Sequence, residues 1–401
     1  MDISIGDRIR SLREFRDVTQ EQLAERAGVH VDTIRKLEQG IRESARINTL
    51  RSLARALDVQ LERLVGQPTV TQELSDDGGL LALRDAIQDI GSLPGVLSAT
   101  NLEDPPDEAA WVDSVKAATS LYWEGEYSAL SGTLPLLLRD GQAVARETDT
   151  EEVWRQLALA YQLAASLSTQ AGHPDWAFAA VEKQLAAAQR ASDPLMEGMG
   201  VSTLSWVLLR QGRWEQAQAV AEQKADSLEP SIRRATPAQY AVYGNLLIAA
   251  ATPAARSGDR EGAQELLNFA ETAATRSGSV RVYGSAFSVT DVRTQQVNCA
   301  LAGQDNEPAE ALRLSARVDL DAITRPVHAA SYRVDVAQAQ YQTGDCGGAL
   351  TTLLEVEEAQ PEWIRFQTLA ASTVREMLEA ERRRNAPLRS LAARLGVDPA
   401  L

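Results

Sequence analysis

Six glycines constrain what this chain can fold into more than any other feature. Gly125, Gly172, Gly212, Gly258, Gly303 and Gly344 follow one another at intervals of 47, 40, 46, 45 and 41 residues. Each ends a stretch in which apolar residues recur at three and four, the spacing of one helix face. Four share a register: Gly172, Gly212, Gly258 and Gly344 have alanine five residues on (Ala177, Ala217, Ala263, Ala349) and an apolar residue nine on (Val181, Ala221, Leu267, Leu353). Gly125 and Gly303 depart by one residue, with Ala129 at four and Ala309 at six. Glycine permits a tight turn between antiparallel helices, and alanine lets the second helix approach closely. The apolar residue one turn further fills the interface. Each pair leaves an apolar face that only the next pair can cover, so such hairpins stack into a superhelix. Strand alternation does not persist anywhere beyond Trp111. The expectation is an all-α chain whose larger part, residues 106–401, is a right-handed α-solenoid of helical hairpins.

Composition narrows the function. At 401 residues, two or three domains are expected, and 44% hydrophobic with 24% charged residues excludes global disorder. Two cysteines, Cys299 and Cys346, argue against a disulfide scaffold and fit a reducing compartment. Met1-Asp2-Ile3-Ser4 lacks a basic and apolar leader, and no apolar run reaches the roughly 20 residues of a membrane span. A soluble cytoplasmic protein without membrane partners is therefore expected. The net charge of −16 is unevenly placed. Residues 1–66 hold 12 Arg and Lys against 11 Asp and Glu, leaving 28 against 45 for the remainder. An acidic body cannot hold a polyanion by general attraction, so nucleic-acid contact belongs to the N-terminal part. Arginine abundance carries no weight, since only four of the 40 basic residues are lysine; position does.

That N-terminal part reads as five short helices. Ile5, Ile9 and Leu12 share the face of the first, about 5–15. Thr19-Gln20-Glu21-Gln22 is a capping box opening the second, with Leu23, Ala24 and Ala27 buried and Gly28 closing it. A third helix, about 31–39, buries Ile34 and Leu37 and stops at Gly40. The fourth, about 47–57, turns Ile47, Leu50, Leu53, Ala54 and Leu57 inward, with Asp58 as a left-handed cap. The fifth, about 60–65, ends at Gly66.

Thr19-Gln-Glu-Gln-Leu-Ala-Glu-Arg-Ala-Gly-Val, Thr33-Ile-Arg-Lys-Leu-Glu-Gln-Gly and Leu53-Ala-Arg-Ala-Leu-Asp-Val together closely resemble the Xre/Cro–CI helix-turn-helix family. The resemblance implies a five-helix, lambda-repressor-like DNA-binding head over residues 1–66. In that family the third helix lies in the major groove of double-stranded DNA. Carried over, Val31 and Asp32 are early recognition residues, with Arg35 and Lys36 one turn later. Arg35 or Lys36 would address guanine, Asp32 would accept from cytosine, and Val31 would pack on a thymine methyl. Gln20 and Thr33 look like phosphate contacts. Arg42 and Arg46 would reach a phosphate or the minor groove. His30 stands where the family has Ser or Thr, and either faces a phosphate or is simply exposed. Glu38 reads as structural, because a carboxylate near phosphates is otherwise repulsive.

Residues 67–105 read as a linker with one helix, about Leu80–Ile90, that buries Ile87 with Leu81, Leu83 or Leu80. At the other end, Trp363–Glu381 is a candidate last helix. Arg382–Arg384 reads as its solvated end, and the segment from Pro387 as a cap or partner contact. The Gly-x-x-x-x-Ala spacing resembles tetratricopeptide repeats, although a period near 44 implies longer helices or loops.

A catalytic constellation is hard to find. His30, His173 and His328 are scattered, and neither cysteine has a histidine at ligand spacing. No phosphate loop, His-Glu-x-x-His or Gly-x-Ser-x-Gly occurs. No enzyme, metal or cofactor is expected. All seven tryptophans and eight tyrosines lie beyond residue 110. The first helix of each pair lines a solenoid's inner surface, so Tyr161, Trp206, Asn245, Arg293, Tyr332 and Arg333 are the candidate set for a peptide or small-molecule effector. A Cro–CI head on a helical-repeat body resembles the peptide-responsive RRNPP group, which acts in quorum sensing, and the Xre regulators of actinomycetes. That implies sequence-specific transcription control, with the body serving dimerisation and effector binding. A homodimer on a palindromic operator also follows from the small footprint of one head. The competing expectation is an interaction scaffold that the head tethers to DNA, with no small effector.

Overall fold

The computed structural model describes residues 4–16, 18–42, 45–59, 61–65, 79–89, 106–231, 233–380 and 385–397. The expectations for Gln60, for Gly66 and most of the linker, and for Arg382–Arg384 lie outside these.

The head is built from α1 (Ile5–Phe15), α2 (Gln20–Ala27), α3 (Val31–Glu38), α4 (Ile47–Ala56) and α5 (Leu61–Val65). Local chemistry fixes the starts of the first three helices. Thr19 Oγ1 accepts from the Gln22 amide at 3.1 Å while Gln22 Oε1 accepts from the Thr19 amide at 2.9 Å, closing the capping box. Gly28 (φ 63°) and Asp58 (φ 51°) take the left-handed turns expected of them. Ile9, Leu23, Ile34, Leu37, Leu50, Leu53, Leu57 and Leu64 converge on one buried core.

The body starts with α6 (Gly79–Ile87). This helix, assigned to the linker from sequence, packs on the body instead. It buries Leu80, Leu83, Ala86 and Ile87 in the body's main cluster and leaves Leu81 exposed. Six helical hairpins follow: α7 (Glu108–Glu124) with α8 (Tyr127–Thr148), α9 (Glu151–Gln170) with α10 (Pro174–Arg190), and α11 (Pro194–Arg210) with α12 (Trp214–Ser227). Then come α13 (Pro237–Ser257) with α14 (Arg260–Ser277), α15 (Val289–Ala300) with α16 (Pro308–Ser315), and α17 (Pro326–Gln342) with α18 (Cys346–Ala359). Helices up to 22 residues long account for the stretched period. All six glycines sit at positive φ, and Ala177, Ala217, Ala263 and Ala349 are buried where the register put them.

The two departures have a physical reason. After Gly125, Ala129 is exposed and Leu130, at the fifth position, is buried, so the register holds with a larger residue. After Gly303, Ala309 is exposed and Ala311, at the eighth, is buried, because a longer turn delays α16.

First helices touch in sequence (α7, α9, α11, α13, α15, α17), and α17 also touches α7, so the superhelix returns to its beginning. The closure is specific. Ser128 Oγ donates to Glu362 Oε1 at 2.8 Å, and Tyr127 meets Phe366 edge-on at 5.3 Å. The expected helix from Trp363 is broken: a 3-10 turn, Trp363–Phe366, precedes α19 (Thr368–Glu379), and α20 (Ala386–Arg394) covers the end.

Strand structure, which the sequence did not lead one to expect, occurs once among the described residues. Strands β1 (Val280–Val282) and β2 (Ser285–Phe287) form an antiparallel hairpin turning at Tyr283-Gly284. Positive φ at both, 51° and 69°, matches the twist of a two-residue hairpin, though it strains a tyrosine. The tip reaches across the inner face. Gln162 Nε2 donates to the Tyr283 carbonyl (3.2 Å), Trp123 Nε1 to the Gly284 carbonyl (3.3 Å), and Tyr283 Oη to Asp193 Oδ1 (3.2 Å).

Head and body meet along α4. Asn48 Nδ2 donates to the Leu301 carbonyl at 3.0 Å, and Gln304 Nε2 donates to Ser52 Oγ at 2.8 Å. Arg55 pairs with Glu215 and covers the Trp214 ring at 4.6 Å, while Leu369 of α19 packs on the head's core. The side chain of Arg46, the N-cap residue of α4, makes no cap hydrogen bond. Glu376 of α19 accepts from the Ile47 amide in that role, and burial raises its pKa to about 7 despite Arg46 and Arg42 nearby.

Candidate nucleic-acid interface

The third helix stands clear of this seam. Val31 is half-buried against the head's core, which leaves its edge outward. Thr33 is half-buried, with its amide donating to the His30 carbonyl at 2.9 Å. Asp32, Arg35 and Lys36 are exposed. Arg35 Nη1 lies 3.0 Å from Asp32 Oδ1, and Arg35 Nη2 lies 3.6 Å from Glu21. These are surface pairs worth roughly 0–1 kcal/mol each, so Arg35 is held in readiness rather than locked.

His30 stands at the start of that helix. It is exposed and caps the helix itself, with Nδ1 accepting from the Asp32 amide at 3.2 Å. An imidazole nitrogen therefore does here what a serine hydroxyl does elsewhere.

Behind the exposed face lies a buried network. Arg13 Nε and Nη2 donate to the two Glu38 oxygens at 2.7 and 3.0 Å, and the hydrogen bond raises the Arg13 pKa. Gln20 Nε2 donates to Glu38 Oε2 at 2.7 Å, and Arg10 donates to the Glu38 carbonyl. Glu38 thus ties α1, α2 and α3 together, which is the structural role its position called for. It also engages the Gln20 side chain, while the Gln20 backbone amide lies in the first turn of α2, where helix amides lack an intrahelical acceptor.

Arg42 and Arg46 flank the loop after Gly40 and are exposed, and both lie near enough to Glu376 to act on it. They therefore stand between the recognition helix and the seam. Phe15 and Ile41, exposed at 84% and 70%, were not singled out from the sequence. Nothing in the helical period marks them, because each falls at a helix end or in a loop.

The six body residues do not form one surface. Tyr161 is buried, with its hydroxyl accepting from Gln142 at 2.6 Å; Tyr332 is buried, with its hydroxyl donating to the Ser315 carbonyl at 3.1 Å. Trp206 packs half-buried beside Leu208, Leu209 and Trp214. Asn245 donates to the Ala241 carbonyl and accepts from Ser285 of the hairpin. Arg293 donates to the Arg317 carbonyl at 3.2 Å and lies 3.5 Å from Glu271, and Arg333 lies 4.0 Å from Glu355. All six lie on first helices, but first-helix position could not distinguish groove-facing from inter-helix positions.

One cluster resembles a nucleophile relay. Asp291 Oδ1 is 2.9 Å from His328 Nδ1, whose Nε2 is 3.1 Å from Thr294 Oγ1. Thr294 is buried and gives its proton to the Asp291 carbonyl at 2.8 Å, so it only accepts from the histidine. The arrangement braces α15 against α17. Among the described residues, no group of three or more His, Cys, Asp and Glu is placed to hold a metal, and no helix is long and apolar enough to cross a membrane.

Residues 4–65 match the family described as a helix-turn-helix domain. Over 71 residues the chain is 34% identical to an immunity repressor protein of Bacillus phage phi105, a stretch covering 18% of this chain. The chain spans about half (49%) of that relative's length. Among solved structures it is similar to Bacillus thuringiensis PlcR in complex with the peptide PapR7 and DNA, at a TM-score of 0.37 and 11% identity, covering 85% of this chain and 98% of that one. The matched segment coincides with the five helices whose caps and core are described above, and residues 4–65 are a helix-turn-helix domain of the Xre type.

Proposed function

We propose that this chain is a sequence-specific DNA-binding transcriptional regulator that acts as a homodimer on a palindromic operator. The observation that carries the reading is the orientation of the head. Its seam with the body runs along α4, so the outer face of α3, with Asp32, Arg35 and Lys36, stays open to a duplex. Base reading falls to Arg35, Lys36, Asp32 and Val31. Backbone contact falls to Thr33, His30, Arg42, Arg46 and the helix start at Gln20. One such head covers few base pairs, and two heads about 34–36 Å apart supply the affinity.

The body is the sensing and dimerising part in this reading, and its effector is a peptide or small molecule. The hairpin bears on where an effector enters. Its tip already engages Trp123, Gln162 and Asp193, and Ser285 engages Asn245, so an effector at the centre has to compete with it. Native mass spectrometry on full-length protein tests this half of the proposal. A dimer mass with a retained small ligand or peptide supports it; a monomer with a large protein partner favours the scaffold alternative.

A further inference from the structure

The β-hairpin combines a firmly rooted base with a tip held by exchangeable contacts. At the base, Ser285, Ala286 and Phe287 are buried, and a methyl on Gly244 of α13 would meet the Phe287 ring at 1.9 Å. At the tip, Val282, Tyr283 and Gly284 are only half-buried, and Arg281 is exposed. Tyr283 carries the strained positive φ, and its ring packs against both large core clusters of the body. Arg281 lies over the Trp123 ring at 5.0 Å and donates to the Thr324 carbonyl at 3.4 Å, just before α17. The tip therefore spans the superhelix, from its root between α14 and α15 to α7 and α9.

The seat beneath the tip is organised without it. Gln162 Oε1 accepts from the buried Gln184 at 3.1 Å, which turns Gln162 Nε2 toward the tip. Asp193 Oδ2 accepts from Arg155 at 2.7 Å, and its Oδ1 accepts from the Leu195 and Met196 amides at 3.1 Å each. Burial, with the Asp193 charge, pushes the pKa of the Tyr283 hydroxyl up to about 12, so it stays a donor. With the tip withdrawn, the seat keeps an amide donor in Gln162, an indole donor in Trp123 and a fixed carboxylate in Asp193. That set takes two adjacent peptide carbonyls and a phenol. Withdrawal also releases the strain at Tyr283. Building on the effector reading above, we propose that the tip is an internal ligand, which fills a peptide-binding seat and yields it to a free peptide presenting tyrosine then glycine in a tight turn. Docked, it blocks that seat and ties α7 and α9 to the start of α17.

Calorimetric titration of the full chain with a cyclic peptide tests it, the probe being residues 280–287 closed end to end through an added Asn-Gly turn. Gly284→Val ejects the tip, because its Cβ would lie 2.4 Å from Leu159 Cδ1 and a β-branched residue does not take φ 69°. The parent's own tip competes for the seat, so Gly284→Val should bind the peptide roughly tenfold or more tightly than the parent does. Adding Gln162→Ala should abolish that gain, and so should alanine in place of tyrosine in the peptide. Should Gly284→Val fail to fold, hydrogen exchange on the parent decides, because saturating peptide should speed exchange of the amides from Val282 to Ser285. Equal binding by parent and variant, binding by neither, an undiminished gain without Gln162, or unchanged tip exchange would overturn the proposal. A different ligand retained by the native protein would in that case leave the effector reading standing. Binding of the cyclic peptide to a protein that retains no ligand would support the seat alone.

Discussion

Head and body use the same device, a helix closed by a left-handed residue, yet they complete their cores in different ways. In the head, five helices within about 60 residues close one cluster, and the starts of α1, α2 and α3 are capped by side chains a few positions away. In the body no hairpin is complete alone. The main cluster runs from Leu80 to Val397, and the ends meet where Ser128 bonds Glu362. The difference teaches that local capping suffices for a small domain that must present one rigid helix. A repeated array needs a closing contact that no single repeat encodes.

The largest expected effect separates the two regions. Arg13→Ala leaves the buried Glu38 carboxylate without its bidentate partner and should destabilise the head by about 3–5 kcal/mol, with the body little changed. Denaturant unfolding followed by hydrogen exchange would show it. Loss of protection confined to residues 4–65 sharpens the comparison, and equal loss throughout breaks it. Gly244→Ala probes the other side. A methyl there would lie 1.9 Å from Phe287 Cζ, a fully buried ring, so the hairpin must shift at a cost of about 1–3 kcal/mol. That loss should appear in the body's unfolding and leave DNA affinity of the folded protein unchanged.

How much of this was legible follows the same division. Thr19, Gly28, Gly40 and Asp58 announce the head's turns because a cap acts within four residues. Gly172 and Ala177 announce a hairpin for the same reason. The return of α17 to α7 was invisible, because Gly125 meets Val327 and Trp363 only after two hundred residues of accumulated turn. The β-hairpin was hidden too. Val-Arg-Val-Tyr-Gly-Ser-Ala-Phe is too short an alternation to stand out, and its turn uses tyrosine where asparagine or glycine would have signalled it. Among candidate site residues, the exposure of Asp32, Arg35 and Lys36 on α3 was readable because a motif fixes their register. Tyr161 and Tyr332 misled because helix membership does not say which side a ring faces.

Two smaller effects refine the picture. Arg35→Ala or Lys36→Ala should cost about 1–3 kcal/mol at one base position and relax specificity there. A loss equal on all sequences would make the residue a phosphate contact. At the seam, Glu376 is raised to about 7 and Asp335 to about 6, both mainly by burial. A carboxyl with a raised folded pKa binds its proton more tightly when docked. The seam is therefore most favoured below the ordinary carboxyl range and weakens as pH rises through about 6 to 7. Glu376→Gln should flatten that profile by roughly 1–2 kcal/mol, after allowance for the side chain's partial exposure, as read from unfolding midpoints between pH 5 and 8. An unchanged slope would remove Glu376 from the seam's balance.

The central claim is that the outer face of α3 reads a duplex. Selection of the full-length protein against a randomised double-stranded oligonucleotide pool, at low and then physiological salt, addresses it most directly. Enrichment of a motif with two related half-sites about one helical turn apart, lost in the Arg35→Ala, Lys36→Ala double variant, is the predicted result. An unenriched pool at low salt, or the same motif recovered by the double variant, would contradict it.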